Sequence, residues 1–528
     1  MVLAPDAAAH TAGRRTEARK HRNRTLILPR ARCEWLLLAA ILAAATAYGA
    51  FGLRVYRTLH ASAFDLAFFD QILWNTAHGR WFETTYVSYN FLGQHFEPIL
   101  LPLALLYRLG AGPQTLIALQ AAGVAIAAVP LYLAGRRLLP PLAALLVACA
   151  YLLAPALQRA VDFGFHSDMF EPLAAFTALA ALLWRRDRLL LLAAALVLLV
   201  KEDAFLIVLG LGWIALLRGR PRLGFGLMTA ALVWGALVLT LIMPMLRHGA
   251  SSDLAERYGY LGSAPTGIVV GALRHPDRIV AHLAAPTPAI AVFGLLASFA
   301  FVPLLAPDVL LAALPPALLG LLSTHPQQRA LDVQYGVPVL IMAAVAALFG
   351  VERASRRLKL PLLQPPRGRS NGAGQRRLAC GAAACVAAAA LASGYLHGPF
   401  PPERDAAGWR FREGGSAAAL ARVARLITAG ATLSAQTGLA PHLSQRRVQW
   451  EFPRLSDTDE ERPSEDAEYI VLQSDGIRSS QSLLAGFDQT VAALPQLGYR
   501  LIASDGTIRL YRRGDAAGPG GPSNEGAR

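Results

Sequence analysis

SAFDLAFFDQILWNTAHGRWFETT, residues 62–85, is neither a membrane span nor a plain linker. It follows an apolar run from Glu34 to Val55 and carries Asp65, Asp70, Gln71, Trp74, Asn75, His78 and Glu83 among aromatic residues. Carboxylates and amides beside a bilayer are costly to desolvate, so a chain that keeps them there is read as binding or transforming something at that surface. The run before the stretch decides the fold class. About 20 apolar residues are needed to cross the hydrocarbon core, and blocks of that kind recur along the 528 residues. Only 16% of the residues are charged, where a soluble domain carries roughly a quarter. The reading is an α-helical polytopic membrane protein.

A formal charge of +15 invites a nucleic-acid reading, but the placement of the basic residues argues against it. Eight arginines and lysines precede the first span, from Arg14 to Arg32, and others cluster at Arg136-Arg137, Arg185-Arg186, Arg218 to Arg222 and Arg353 to Arg377. Short basic loops at span ends are the positive-inside signal. They put residues 1–33 on the cytoplasmic side, with the bilayer as partner and no nucleic acid. The long basic region and long apolar run suit an uncleaved signal anchor. Cys33, Cys149, Cys380 and Cys385 lie in or beside apolar spans, so neither a disulfide framework nor a zinc site is expected.

With the basic loops inside, about eleven transmembrane helices are expected in a membrane domain over 34–396: 34–55, 113–134, 140–158, 170–184, two within 189–217, 223–246, 288–306, 308–323, 337–350 and 378–396. Residues 56–96 form an outer loop, and 97–110 are too short to cross and read as an interfacial helix. A second outer loop, 247–286, offers Tyr258, Tyr260, Arg274 and His275. Residues 397–513 have ordinary charge density and alternate helix and strand patterns, ending in a hairpin that turns at Asp505-Gly506. They read as a small extracytoplasmic α/β domain, and 514–528 as a disordered tail by composition.

That topology layers several polar groups on the outer side. Asp65 and Asp70 are the catalytic candidates. Gln71, Trp74, Asn75, His95, Glu97, His166, Asp168, Lys201, Glu202, Arg329 and Tyr335 are the candidates for substrate binding. Asp65 and Asp70, five residues apart, are offset by roughly 140° on a helix, so they do not form a close carboxylate pair. Asp65 reads either as a general base for an acceptor hydroxyl or as a helix N-cap. Lys201-Glu202-Asp203 interrupts a 29-residue apolar run (189–217). It reads either as functional, with Lys201 neutralising a lipid phosphate, or as a Lys–Glu pair stabilising a helix break. His95 with Glu97 and His166 with Asp168 are able in principle to ligate a divalent metal. The chain lacks GxSxG, Walker A, GxGxxG and HExxH motifs, so hydrolase, nucleotide and zincin chemistry are not expected.

The segments FDLAFFDQILWNTAHGRWF, NFLGQHFEPILLPLALLYRL, FGFHSDMFEP, KEDAFLIVLGLG and SAQTGLAPHLSQRR together resemble a prokaryotic family of polytopic membrane proteins known as a domain of unknown function. The resemblance runs from about residue 34 to 513. More distantly the chain resembles the GT-C glycosyltransferases, including lipid-linked aminoarabinose and protein O-mannosyl transferases, whose short motif at the start of the following helix is similar to HFEP. This resemblance implies a GT-C-like membrane domain and a sugar donor carried on polyprenyl phosphate. It implies an acceptor that is an envelope glycan, lipid or protein, and Asp65 at the position of the catalytic aspartate. A single displacement would invert the anomeric centre, with Lys201, helped by His166 or Arg329, facing the departing phosphate. Asp65-Leu66 stands where many members have an acidic pair, which leaves metal use open.

Two other functions fit the same residues. Broken helices and charged residues in spans suit a transporter or flippase for a lipid-linked sugar, although no inverted repeat is visible. A non-enzymatic envelope assembly factor would use the α/β domain to bind a partner.

Overall fold

The computed structural model describes residues 29–250, 253–357, 372–400, 417–456, 466–474 and 484–514. Of the expected segments, 1–28 and 515–528 lie outside the described residues.

Among the described residues six helices are long and apolar enough to cross a membrane: α1 (Arg30–Arg57), then Pro113–Gly135, Pro141–Asp162, Pro221–Leu246, Pro326–Arg356 and Gly372–His397. A seventh span results if Pro276–Leu283 and Pro286–Ala297, bent by 63°, count as one. The other expected spans are present as shorter apolar pieces. Residues 170–184 form the 13-residue helix Glu171–Leu183. The run 189–217 splits into Asp187–Leu198 and Phe205–Leu217 around Lys201-Glu202-Asp203. The split at Lys201-Glu202-Asp203 is the one that the interruption of the apolar run predicts.

Proline begins many of the helices, at Pro113, Pro141, Pro221, Pro276 and Pro286, where its missing N–H is no loss. The helix reaching Arg356 is central, with 94% of its apolar window buried, against 22% for α1 and for Pro221–Leu246. Those outer helices turn Trp35, Leu42, Phe225 and Leu241 outward, as lipid-facing helices do. Apolar lipid gives little hydrophobic drive between helices, so contact relies on small residues that let backbones approach. Gly212 and Gly224 show this: a Cβ on either would lie under 3.0 Å from the other's carbonyl oxygen.

The arginine-rich loops gather at one end of the bundle. Arg137 lies over the Trp184 ring, Arg220 pairs with Asp187, and Arg218 lies over Phe349. Asp65, His95, His166, Lys201 and Tyr335 lie toward the other end.

The C-terminal unit is a five-stranded sheet of order β2-β1-β3-β5-β4, where β1 is Leu433–Ala435, β2 Gln449–Glu451, β3 Tyr469–Gln473, β4 Tyr499–Asp505 and β5 Ile508–Arg513. Strand β1 runs parallel to β2 and β3, and β5 is antiparallel to β3 and β4. Leu433, Val471 and Leu510 share one apolar core with Leu59, Phe68 and Leu73 of the first loop. The loop and the sheet are therefore one packed unit.

Candidate functional site

Asp65 sits on a wide helical turn, Ala63–Ala67, that leads into the helix α2 (Phe68–Ala77). Wide turns of this kind recur at functional sites. Asp65 is 8% exposed, and its Oδ1 lies 3.3 Å from His166 Nε2. Two features of FGFH make that approach possible. Gly164 has φ +129°, and a Cβ there would lie 3.0 Å from Asp65 Cβ, so only glycine fits without strain. Gln120, buried within Pro113–Gly135, donates to the Gly164 carbonyl at 2.8 Å and accepts from the His166 backbone N–H at 3.0 Å. Phe163 stacks on the His166 ring and Phe69 meets it edge-on. The ring is thus held with one nitrogen on Asp65, while Nδ1 has no partner.

Next to this pair is a buried polar nest. Lys201 donates to both carboxylate oxygens of Asp168, at 2.9 and 3.0 Å. Glu202 instead accepts from His95 Nδ1 and from the Phe96 N–H, each at 3.0 Å. The Lys–Glu pairing considered for the helix break is therefore not what forms: Lys201 and Glu202 each take a partner from another element. Glu97 and Glu171 are buried in the same nest, and Glu97 Oε2, both Glu171 oxygens and Asp203 Oδ1 have no hydrogen-bond partner among the described residues. Burial pushes the Glu97 carboxyl well above the usual range, with Lys201 opposing and Asp168 adding to it.

Tyr335 closes the nest. Lys201 Nζ lies 5.9 Å from its ring centroid, and Arg257 lies over the same ring at 5.5 Å. Arg257 also donates to the Tyr335 hydroxyl and to Gln328. It has no carboxylate partner among the described residues, whereas the charge of Lys201 is already met by Asp168.

The other candidates lie elsewhere. Asp70 is fully buried and accepts from the Tyr107 and Ser444 hydroxyls, each at 2.7 Å. Burial pushes its carboxyl up to about 7, and those hydroxyls hold it back. Gln71 accepts from Thr84 and Thr85 and donates to the Arg447 carbonyl. Asn75 donates to the Glu83 carbonyl and accepts from Arg80, whose guanidinium lies over Trp74. These contacts brace the loop and dock the sheet. Arg329 donates to the His282 carbonyl at 2.8 Å, with no contact to Lys201.

The residues of each His-x-acid motif face different partners: His95 faces Glu202 while Glu97 faces the Lys201 nest, and His166 faces Asp65 while Asp168 faces Lys201. Among the described residues no group of three or more His, Cys, Asp or Glu is placed to hold a metal ion. Sequence reasoning passed over Gln120, Glu171 and Arg257. A glutamine within an apolar span and a glutamate at the start of one were signals that could have found the first two.

Fold and site together define a polytopic membrane protein with a buried polar site at one end and a sheet docked over its first loop. Residues 55–506 match the family of predicted membrane proteins DUF2079, and the chain belongs to it. No curated protein sequence matches the chain. Among solved structures the chain is similar to ArnT from Cupriavidus metallidurans bound to undecaprenyl phosphate, at 16% identity and a TM-score of 0.48, covering 92% of this chain and 99% of that one. It is also similar to the archaeal oligosaccharyltransferase AglB from Archaeoglobus fulgidus in complex with an inhibitory peptide and a dolichol-phosphate, at 14% identity and a TM-score of 0.42, covering 92% and 75%.

Proposed function

We propose that the protein is an inverting glycosyltransferase. It moves a sugar from a polyprenyl-phosphate donor to an envelope acceptor at the outer face of the bacterial cytoplasmic membrane. The observation that carries this reading is the buried Asp65–His166 pair beside a cation-bearing nest at the membrane end of the first loop. The acceptor hydroxyl attacks the anomeric carbon, and Asp65 takes its proton. The bond from that carbon to the phosphate oxygen breaks, and polyprenyl phosphate leaves with the electron pair. Arg257, which has no carboxylate partner among the described residues, meets the departing phosphate, because Lys201 is occupied by Asp168. His166 orients the Asp65 carboxylate and can relay its proton.

The test is native mass spectrometry of protein extracted gently from its own membranes, comparing wild type with Asp65→Asn, Lys201→Ala and Arg257→Ala. A co-purifying polyprenyl-phosphate species retained in the Asp65 variant and lost in the Arg257 variant supports the reading. Only bulk phospholipid in all four refutes a donor pocket. The buried Glu171 carboxylate, unpartnered among the described residues, beside buried Glu97 favours a second reading, a proton-linked flippase. It predicts movement of a lipid-linked sugar across vesicles with no new glycosidic bond.

A further inference from the structure

A cleft of about 510 Å³ opens between the last turn of α1, the Gly110–Thr115 turn and the segment Pro441–Arg446, sharing no lining residue with the Asp65 site. Small-molecule sites span roughly 300–1,000 Å³. The turn is shaped for this place. Gly110 has φ +89°, and a Cβ on Gly112 would lie 2.8 Å from Gln445 Nε2, whose amide donates to the Ala111 carbonyl at 2.9 Å.

The lining has one charge. Arg446 donates only to the Leu443 and Ala431 carbonyls, at 2.7 and 3.0 Å, with no carboxylate partner among the described residues. Burial pulls its guanidinium down to about 10 with no acid opposing. His442 stacks on Tyr56 at 3.9 Å and accepts no charge, because burial pulls its ring down to about 4. A half-buried cation with no counter-ion is costly and favours an anion. Around it Gln114, Thr115 and Gln445 offer carboxamides and a hydroxyl, groups that pair with ligand hydroxyls. Tyr56 ends one membrane span and Pro113 begins the next, so the cleft opens at the level of lipid headgroups.

We infer that this cleft binds a phosphate carried on a hydroxylated group, with Arg446 on the phosphate and Gln114, Thr115 and Gln445 on the hydroxyls. The site is independent of the transferase reading. Full-length protein in phosphatidylglycerol nanodiscs is compared with protein in phosphatidylcholine nanodiscs, the latter with and without glycerol 1-phosphate, by native mass spectrometry and thermal unfolding. Retained phosphatidylglycerol and a raised midpoint identify a lipid source. A raised midpoint with glycerol 1-phosphate in phosphatidylcholine identifies a soluble one. Arg446→Gln weakens either by roughly tenfold or more, the worth of a charge-assisted bond. Gln114→Glu, an exposed position with no hydrogen bond to lose among the described residues, weakens it by placing like charge at the mouth, and decides the matter if Arg446→Gln fails to fold. No response to either ligand, or a response that survives Gln114→Glu, overturns the inference.

Discussion

Replacing Lys201 with methionine removes the one ammonium from a nest that holds Glu97, Asp168, Glu171, Glu202 and Asp203. At 2.9 Å and an effective dielectric near 20, the Lys201–Asp168 attraction is about 6 kcal/mol before desolvation is subtracted. Desolvating both ions offsets most of that, so the net worth of the pair is small. Breaking it is another matter, because one buried charge is left without its partner, at about 3–5 kcal/mol. The two halves are not equivalent. Without Asp168, Lys201 still faces Glu97, Glu202 and Asp203, whereas Asp168 without Lys201 loses the partner that meets both its oxygens. Lys201→Met is therefore expected to cost more than Asp168→Asn, and the double variant to recover most of the loss. Equilibrium unfolding in mixed micelles measures this, with Trp213 and Trp234 on the flanking helices as fluorescent reporters. A Lys201→Met cost below about 1 kcal/mol, or a double variant equal to the sum of the singles, refutes the reasoning.

Asp70, raised from 3.8 to about 7, stabilises the fold fully below about pH 4, and that contribution is lost as pH climbs through 7. Asp70→Asn should flatten the fall in unfolding midpoint between pH 4 and 8, and an unchanged fall counts against it. Gly164→Ala is expected to cost about 1–3 kcal/mol in backbone strain and to push Asp65 from His166. It should cut turnover or ligand retention while a folded protein is still recovered by size-exclusion chromatography. Gly212→Val should separate two helices and lower the midpoint by several degrees, while Gly226→Val, where a Cβ meets nothing within 4 Å, leaves it unchanged.

The sequence made the elements legible more readily than their partnerships. Apolar blocks, the Lys201-Glu202-Asp203 interruption and the Asp505-Gly506 hairpin are local patterns, and each has a counterpart in the structure. Pairing is non-local. Lys201 and Glu202 are neighbours in the chain, yet one goes to Asp168 and the other to His95, because adjacent residues at a helix break point in different directions. The three-residue strand β2 escaped notice because it is too short to alternate and is paired through a distant β1. Arg257 carried no local mark, because what singles it out is its reach to the Tyr335 ring that Lys201 also approaches.

The position of Asp65 depends on the C-terminal unit as much as on the membrane helices. Two residues before it, the Ala63 N–H donates to Thr437 Oγ1 at 3.0 Å. Beside Thr437, Gly438 packs so tightly on the first loop that a Cβ would fall 2.0 Å from the Leu59 carbonyl oxygen. Five residues after Asp65, Asp70 is tied to Ser444. The turn bearing Asp65 is thus held from one side by SAQTGLAPHLSQRR and from the other by Gly164 and His166. A carboxylate braced by a sheet on one face and by a helix-end motif on the other can be positioned within tenths of an ångström, as chemistry at a reacting centre demands. A merely structural loop would gain little from having both braces. The sheet is therefore part of the scaffold around Asp65, through the core that Leu433, Val471 and Leu510 share with Leu59 and Phe68.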